Sequence, residues 1–239
     1  MPHRTFTVDE VADYLHVSKA DIERLVLRKE VPFIRQGSRI HFRQSDVDAW
    51  ASRRILGLSA KQLTDYHKTA SAKRHDLSDQ HAIIPELVRP GHIDPALRAK
   101  TKSSVIRQMV ELADRTELLN HSEDLLTGIE ERERLCSTAL DGGIALLHTK
   151  QHEPYISEDS FIVLGRTLQA IPFGSPDGRT TDLFFLLCTQ DDRIHLHVLA
   201  RLCMMCHHTS LLIALREAVN AEEMMADLVD AESEVIKGL

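Results

Sequence analysis

Two short amphipathic helices are predicted near the start of the chain. Possible capping boxes at 7–10 and 18–21 each open a run of apolar residues at helical spacing. The first run is Val8, Val11, Ala12 and Leu15, and the second is Ile22, Leu25 and Val26. Because only a tight turn separates the two helices, the pair predicts a helix-turn-helix.

A β-hairpin and a third helix are predicted next. Pro32 ends the second helix, and residues 33–42 alternate between apolar and polar around a turn that contains glycine. A cap at Ser45, with Asp48 three residues later, then opens a helix. Its apolar residues are Val47, Trp50 and Ala51. We therefore place a small, mostly α domain at 1–56.

The rest of the chain predicts a linker and a larger domain. Residues 57–80 are polar with little periodicity, as in a linker. Within 81–239, helices are predicted after Ser103-Ser104 and after Ser122, with apolar residues at Val105, Ile106, Met109, Val110, Leu112 and Ala113 and at Leu125, Leu126, Ile129 and Leu135. Strands are predicted at 143–147, 160–164 and 182–188. The closing helices contain Leu196, Leu199 and Leu202, then Leu211, Leu212 and Leu215, and, after an Asn220 cap, Met224, Met225 and Leu228. This alternation predicts an α/β sandwich, a mixed sheet with helices on both faces.

Composition fits a globular protein of two domains. The chain has 239 residues, 43% hydrophobic and 27% charged, and no apolar run approaches the roughly 18–20 residues that a membrane helix needs. The first residues lack the apolar core of a signal peptide, so we expect a cytoplasmic protein without a membrane partner. In that compartment the four cysteines are expected to be reduced thiols.

The charge differs between the two parts of the chain. Residues 1–58 contain ten Lys and Arg against eight Asp and Glu, a balance of +2, whereas 59–239 contain nineteen against twenty-eight, a balance of −9. This asymmetry permits a nucleic-acid contact by the first part and argues against one by the second.

His148 is the first candidate for chemistry. Two glycines open the apolar run 142–147, and His148 ends it, so the side chain is expected at the rim of the sheet. A histidine there could shuttle protons, bind a metal or attack phosphorus. The strand alone does not choose among these chemistries.

The first domain resembles a known DNA-binding family. Over about residues 5–52, the stretch TVDEVADYLHVSKADIERLVLRKEVPFIRQGSRIHFRQSDVDAW is similar to the excisionase-type winged helix-turn-helix domains related to MerR regulators. The resemblance implies a recognition helix at 18–29 and the hairpin as a wing. It also implies that duplex DNA is contacted by Lys19, Arg24, Arg28, Arg35, Arg39 and Arg43.

One departure leaves alternatives open for this domain. Asp21 and Glu23 lie on the predicted recognition helix, where carboxylates would repel phosphates, although Asp21 is explained by capping. A protein-docking or vestigial module is therefore the alternative to DNA binding. The arginines could also form only a solvated charged face. If DNA is bound, readers of this kind often pair to match half-sites, which would make a homodimer.

The second domain resembles a phosphoryl carrier. GIEERERLCSTALDGGIALLH, IPFGSPDGRTTDLFFLLCT, HLHVLARL and LIALREA are similar to the IIA domain of the fructose/mannitol class of the phosphoenolpyruvate:sugar phosphotransferase system, including its nitrogen-regulatory branch. The resemblance implies that His148 is phosphorylated by HPr or a nitrogen-regulatory (NPr-like) paralogue, with Arg132 and His195 beside it. It implies a phosphohistidine carrier, with no cofactor, and a regulator that couples phosphotransferase state to DNA or a protein.

Other interpretations of these residues remain open. Arg132 could be a solvated charge, and His195 could only cap its helix, while His197 is expected at the surface. Leu147 stands where the family commonly has Pro, which restores an N–H and frees φ before His148. The main alternative is a phosphorylation-silent DNA-binding or docking protein that uses the IIA-like fold as an interaction module. A metabolic carrier that feeds a sugar transporter is another.

A second constellation competes for metal. Cys203-Met204-Met205-Cys206-His207, followed by His208, fits the C-x-x-C-H pattern of haem attachment and part of a zinc site. The stretch continues a predicted helix, on which Cys203 and Cys206 share one apolar face. We therefore expect buried thiols and no metal.

Overall fold

The computed structural model describes residues 5–15, 17–37, 39–59, 61–64, 66, 82–150, 153–190 and 192–238. Most of the predicted linker therefore lies outside the described residues. Within its described part, residues 61–64 are helical, and the side chain of Leu63 is buried in the core.

The N-terminal domain is a helix-turn-helix with a β-hairpin, as predicted. Helices α1 (Val8–Tyr14) and α2 (Lys19–Leu27) both begin with complete capping boxes. Strands β1 (Thr5–Phe6), β2 (Ile34–Gln36) and β3 (Arg39–Arg43) form an antiparallel sheet in the order β1-β3-β2. Strand β1 was not predicted, because two residues are too short to show a period.

Helix α3 spans Gln44–Leu56, and the prediction of a cap at Ser45 is wrong. The N-cap residue is Arg43, with no side-chain cap bond, and Arg43 also pairs with Thr5 in the sheet. Strand β3 thus runs directly into α3, so the hairpin and not a serine hydroxyl fixes where the helix begins.

Among the residues that the structure describes, the second domain is built on a mixed five-stranded sheet. Its strands are β4 (Ile93–Leu97), β5 (Ala139–Leu140), β6 (Ile144–Leu147), β7 (Phe161–Ile171) and β8 (Thr181–Cys188). The order is β4-β7-β8-β6-β5, with β4-β7 and β8-β6 parallel and the other two pairs antiparallel. The three predicted strands correspond to β6, β7 and β8, and β6 is next to the centre.

Helices cover both faces of this sheet, as predicted. They are α4 (Ile84–Leu87), α5 (Lys102–Asp114), α6 (Ser122–Leu135), α7 (Asp192–His208), α8 (Leu211–Glu217) and α9 (Ala221–Lys237). Along β6, Ala145 and Leu147 pack in the apolar cluster that includes α5 and α6, whereas Ile144 and Leu146 pack in the cluster that includes α7 to α9. The period of two expected for a strand therefore divides the core into two layers.

Two details of the helices differ from the prediction. Thr101 and not Ser103 caps α5, and the Ser104 side chain accepts a hydrogen bond from the Thr101 N–H. Leu135, expected on the apolar face of α6, is 60% exposed in the last turn. The Asn220 cap of α9 is confirmed, with its side chain accepting from the Glu223 N–H at 2.8 Å.

The two domains share one apolar cluster. The cluster on the α7 side of the sheet also contains the core of the helix-turn-helix domain, and α3 packs against α7. Its members from the first domain include Phe42, Val47 and Ile55, and those from α7 include Leu196 and Leu199. Helix α3 is therefore the element that joins the domains.

Within the described chain, no single helix combines the length and the apolar composition needed to span a membrane, and α7 with α8 reach that standard only as a pair bent by 82°.

Candidate functional site

The site begins with the turn that leads into β6. Gly142 and Gly143 have φ values of +89° and +81°, which a side chain rarely allows. A Cβ on Gly143 would also lie 2.7 Å from Nη2 of Arg216, which is ion-paired to Asp182. Strand β6 then pairs in parallel register with β8, through Leu147 opposite Leu186, and places His148 directly after its last residue.

Hydrogen bonds assign the tautomer of His148. Its Nδ1 lies 2.8 Å from the carbonyl oxygen of Leu146, and Nε of Arg132 donates to its Nε2 at 3.2 Å. A carbonyl can only accept and a guanidinium can only donate, so the proton is on Nδ1 and the lone pair is on Nε2. The ring is therefore neutral, with Nε2 as its nucleophilic atom.

Arg132 offers one further donor at this position. Helix α6 places its side chain 1% exposed, and Nη1 donates to the carbonyl of Cys136 at 2.7 Å. Nη2 is buried without a hydrogen-bond partner among the described residues. Because Nε and Nη2 share one edge of the guanidinium plane, the edge at His148 can bind two oxygens of one anion.

Glu133 holds the end of α6 beside this arginine. Its carboxylate accepts from the backbone N–H of Thr138 at 2.9 Å and forms a 2.7 Å ion pair with Lys102. The Lys102 ammonium also donates to the carbonyl of Phe173. These bonds fix the last turn of α6 relative to β5, and hence the backbone from which Arg132 reaches His148.

His195 completes the cluster from the opposite side. It lies in the first turn of α7, and its ring centroid is 4.9 Å from that of His148. Both rings are 1% exposed. The three residues predicted for the second domain are therefore brought together, and neither Arg132 nor His195 is a solvated group.

The expectation for His197 is wrong. This side chain is 3% exposed and not at the surface. Helix α7 is covered on more than one side, because the sheet packs against it and α3 of the first domain packs against it as well. A sequence pattern within α7 alone cannot show the second contact.

Ser52 is the residue at this site that the sequence did not indicate. It belongs to α3 of the helix-turn-helix domain, and its Oγ lies 3.4 Å from Nε2 of His195. Its side chain is 3% exposed. A single serine on a helix has no local signal for such a role, since the contact joins residues that are 143 positions apart.

The residues predicted to contact DNA are at the surface of the first domain. On α2, Lys19 pairs with Asp9 at 2.7 Å, and this bond raises the pKa of the lysine, while Arg24 pairs with Asp21. Arg28 is exposed near Glu30. The wing presents Arg35, Arg39 and Arg43, all exposed. The carboxylates on and near α2 thus partly neutralise its cations.

The cysteine-histidine stretch lies on α7, as predicted. Cys203 is buried and Cys206 is half-buried, and burial raises the pKa of the Cys206 thiol to about 12. Among the residues that the structure describes, no group of three or more His, Cys, Asp or Glu side chains is arranged to hold a metal ion. At neutral pH these thiols are protonated and pack as apolar groups.

Comparison with known proteins identifies both regions. The family model described as "Phosphoenolpyruvate-dependent sugar phosphotransferase system, EIIA 2" matches residues 86–230, and a helix-turn-helix domain model matches residues 5–63. The fructose-specific EIIABC component of the phosphotransferase system of Bacillus subtilis is 29% identical over 153 residues, which are 63% of this chain and 22% of that protein. The chain thus corresponds to about a fifth of that relative.

Solved structures show the same fold. The nitrogen regulatory protein IIA-Ntr from Neisseria meningitidis aligns with a TM-score of 0.56 and 26% identity, over 62% of this chain and 99% of that one. IIA mannitol from Escherichia coli aligns with a TM-score of 0.53 and 18% identity, over 59% and 98%, which shows the fold alone. The chain therefore belongs to the EIIA type 2 family of the phosphoenolpyruvate-dependent sugar phosphotransferase system, and a helix-turn-helix domain precedes its EIIA region.

Proposed function

We propose that the protein is a cytoplasmic phosphohistidine carrier with a regulatory role, which accepts a phosphoryl group on Nε2 of His148. The donor is the phosphohistidine of HPr or of its nitrogen-regulatory paralogue. Support comes from the family match and from the pair formed by His148 and Arg132. The observation that most favours this function is the Nε2 lone pair. It faces an arginine edge whose Nη2 has no hydrogen-bond partner in the part of the chain that the structure describes.

The chemistry needs only groups at this site and on the donor. The Nε2 lone pair attacks phosphorus, the donor's N–P bond breaks, and its electron pair stays on the donor imidazole. Arg132 Nε, which donates to Nε2 in the free protein, is then released to bind a phosphoryl oxygen, and Nη2 binds a second one. His195, in the first turn of α7, lies close enough to contact the same group.

The test is incubation of the full chain with phosphoenolpyruvate, enzyme I and either phosphocarrier, followed by intact mass spectrometry. We expect an acid-labile gain of one phosphoryl group on the wild type and none on His148→Ala. The control His207→Gln, at an exposed histidine of α7, is expected to gain the group as the wild type does. No gain with either carrier, in conditions that phosphorylate a known IIA protein, would contradict the proposal.

We further propose that the helix-turn-helix domain couples this state to duplex DNA. The exposed wing arginines support a contact with phosphates.

The second candidate is a phosphorylation-silent docking protein, and two observations favour it. His148 is almost fully buried, and Leu27, on the predicted recognition helix, is 82% exposed. Uptake of phosphate separates the two candidates.

A further inference from the structure

A helix of the helix-turn-helix domain lies against the phosphoryl site, because α3 packs on α7 and Ser52 Oγ is 3.4 Å from Nε2 of His195. We infer that docking of α3 on α7 and phosphorylation of His148 exclude each other, so that the first domain is an intramolecular occupant of the surface where the phosphocarrier docks. This inference rests on the proposed function. It adds a regulation that is specific to this two-domain chain.

The cover is a regular helix face. Ser52 and Ile55 are spaced by three residues, so they lie on one side of α3, and both are buried. Ser52 reaches His195, and Ile55 belongs to the apolar cluster that includes Leu196 of α7. The polar contact with α7 and a member of the shared apolar cluster therefore lie on the same face of the helix.

Phosphoryl transfer cannot take place in this closed arrangement. The donor nitrogen, the phosphorus and Nε2 of His148 must lie roughly in line, and the donor histidine is attached to a protein. His148, His195 and Arg132 are each 1% exposed, so a donor histidine has no access to Nε2. Helix α3 has to leave α7 before transfer.

The phosphorylated product opposes the return of α3. A phosphoryl group adds roughly 1.5 to 2 negative charges and three acceptor oxygens at pH 7. Arg132 supplies one positive charge, so part of the negative charge stays uncompensated. A closed α3, with the buried Ser52 against His195, would keep that charge away from water. Burying charge without full compensation is unfavourable, so phosphorylation shifts the equilibrium towards the open form.

Access to His148 is measured first, without any phosphocarrier. Diethyl pyrocarbonate modifies accessible imidazoles, and mass spectrometry gives the rate at His148. In the full-length chain, Ser52→Lys places a cation in the buried contact with His195 and is expected to raise this rate about tenfold or more. Ser52→Gln adds volume without charge and is expected to act in the same direction. Gln36→Lys, which adds the same charge at an exposed wing position, is the matched control.

The same variants are then phosphorylated by the phosphocarrier. We expect the initial rates to rise in parallel with access, and hydrogen exchange of α3 amides to increase once the wild type is phosphorylated but not in His148→Ala. Ser52→Lys and Ser52→Gln are the two open variants. The inference is overturned if both variants show the same access to His148 and the same phosphorylation rate as the wild type, while circular dichroism shows unchanged helix content. If the open variants expose His148 but no protein takes up phosphate, the proposed function fails, and the regulation of phosphorylation fails with it, while the closed contact stands.

Discussion

Arg132 is the residue whose chemistry is least replaceable at the site. Its guanidinium binds His148, binds the Cys136 carbonyl and keeps a buried Nη2 available. Arg132→Lys keeps the charge but loses the planar fork. We expect phosphoryl uptake to slow by roughly 10²–10³, the range seen when one preorganised donor is removed.

Arg134→Lys provides the matched control for this change. Arg134 lies two residues later on α6, is exposed, and donates to the Glu130 carbonyl of its own helix. The phosphoryl uptake rate of Arg134→Lys should equal that of the wild type when both are measured by quenched-flow and intact mass spectrometry. Equal rates for the two variants would mean that Arg132 has a structural role only.

The residues of the site differ in how far the sequence revealed them. His148, Arg132 and His195 could be located because the chemistry of a family limits the residue types at fixed spacing. The contact of Ser52 with His195 depends on how two domains dock, and no local pattern encodes that geometry. The burial of His197 was missed for the same reason, since it depends on what packs on α7 from elsewhere in the chain.

The turn before β6 determines how this element enters the sheet. At Gly143 the backbone has a positive φ, and a Cβ would meet Arg216 Nη2 at 2.7 Å and the Thr180 carbonyl at 3.2 Å. Gly178 has a similar φ, +72°, with nothing within 4 Å of its Cβ position. Gly178→Ala should therefore lower the free energy of unfolding by about 1–2 kcal/mol from backbone strain alone. Gly143→Ala should lower it by roughly 2–4 kcal/mol, because the clash adds to the strain.

Urea unfolding of the two glycine variants measures this difference. The midpoints report the change in stability as long as the slopes stay equal. A midpoint for Gly143→Ala that matches Gly178→Ala would show that the Arg216 and Thr180 contacts relax without cost. A larger loss, together with slower phosphorylation, would show that the turn also positions His148.

Elements with strong local signals were predictable, and those defined by pairing were not. Capping boxes and apolar spacing located α1 and α2, and unbroken apolar runs located β6 and β8. Strand β4 was missed, because Asp94 and Pro95 interrupt its apolar pattern, and it is extended through its parallel pairing with β7. Strand β5 has only two residues and depends on β6 for its partner.

At the scale of the whole molecule, the charge asymmetry and the domain contact act together. The first part of the chain has a balance of +2 and the second −9, and α3 holds them against each other. A duplex that approaches the wing therefore also meets the field of an acidic domain, which opposes binding and is screened by salt. Opening of the contact would let the acidic domain move away, so DNA affinity and the closed state should be linked.

The last prediction uses this salt dependence to separate DNA binding from protein docking. Each phosphate contact contributes about 0.9 to the slope of log K against log salt, so replacing Arg35, Arg39 and Arg43 by Gln should reduce the slope by roughly 2–3. The control replaces three exposed arginines of the second domain, Arg107, Arg134 and Arg179, by Gln, with the same change in net charge. Fluorescence anisotropy with a mixed-sequence duplex measures both slopes. Equal slopes would show that the effect is net charge and not a wing contact, and an absence of binding at low salt, in the wild type and in Ser52→Lys, would favour protein docking. A reduced slope in the wing variant alone, with higher affinity in Ser52→Lys, would place the duplex at the wing and link its binding to release of α3 from the phosphoryl site.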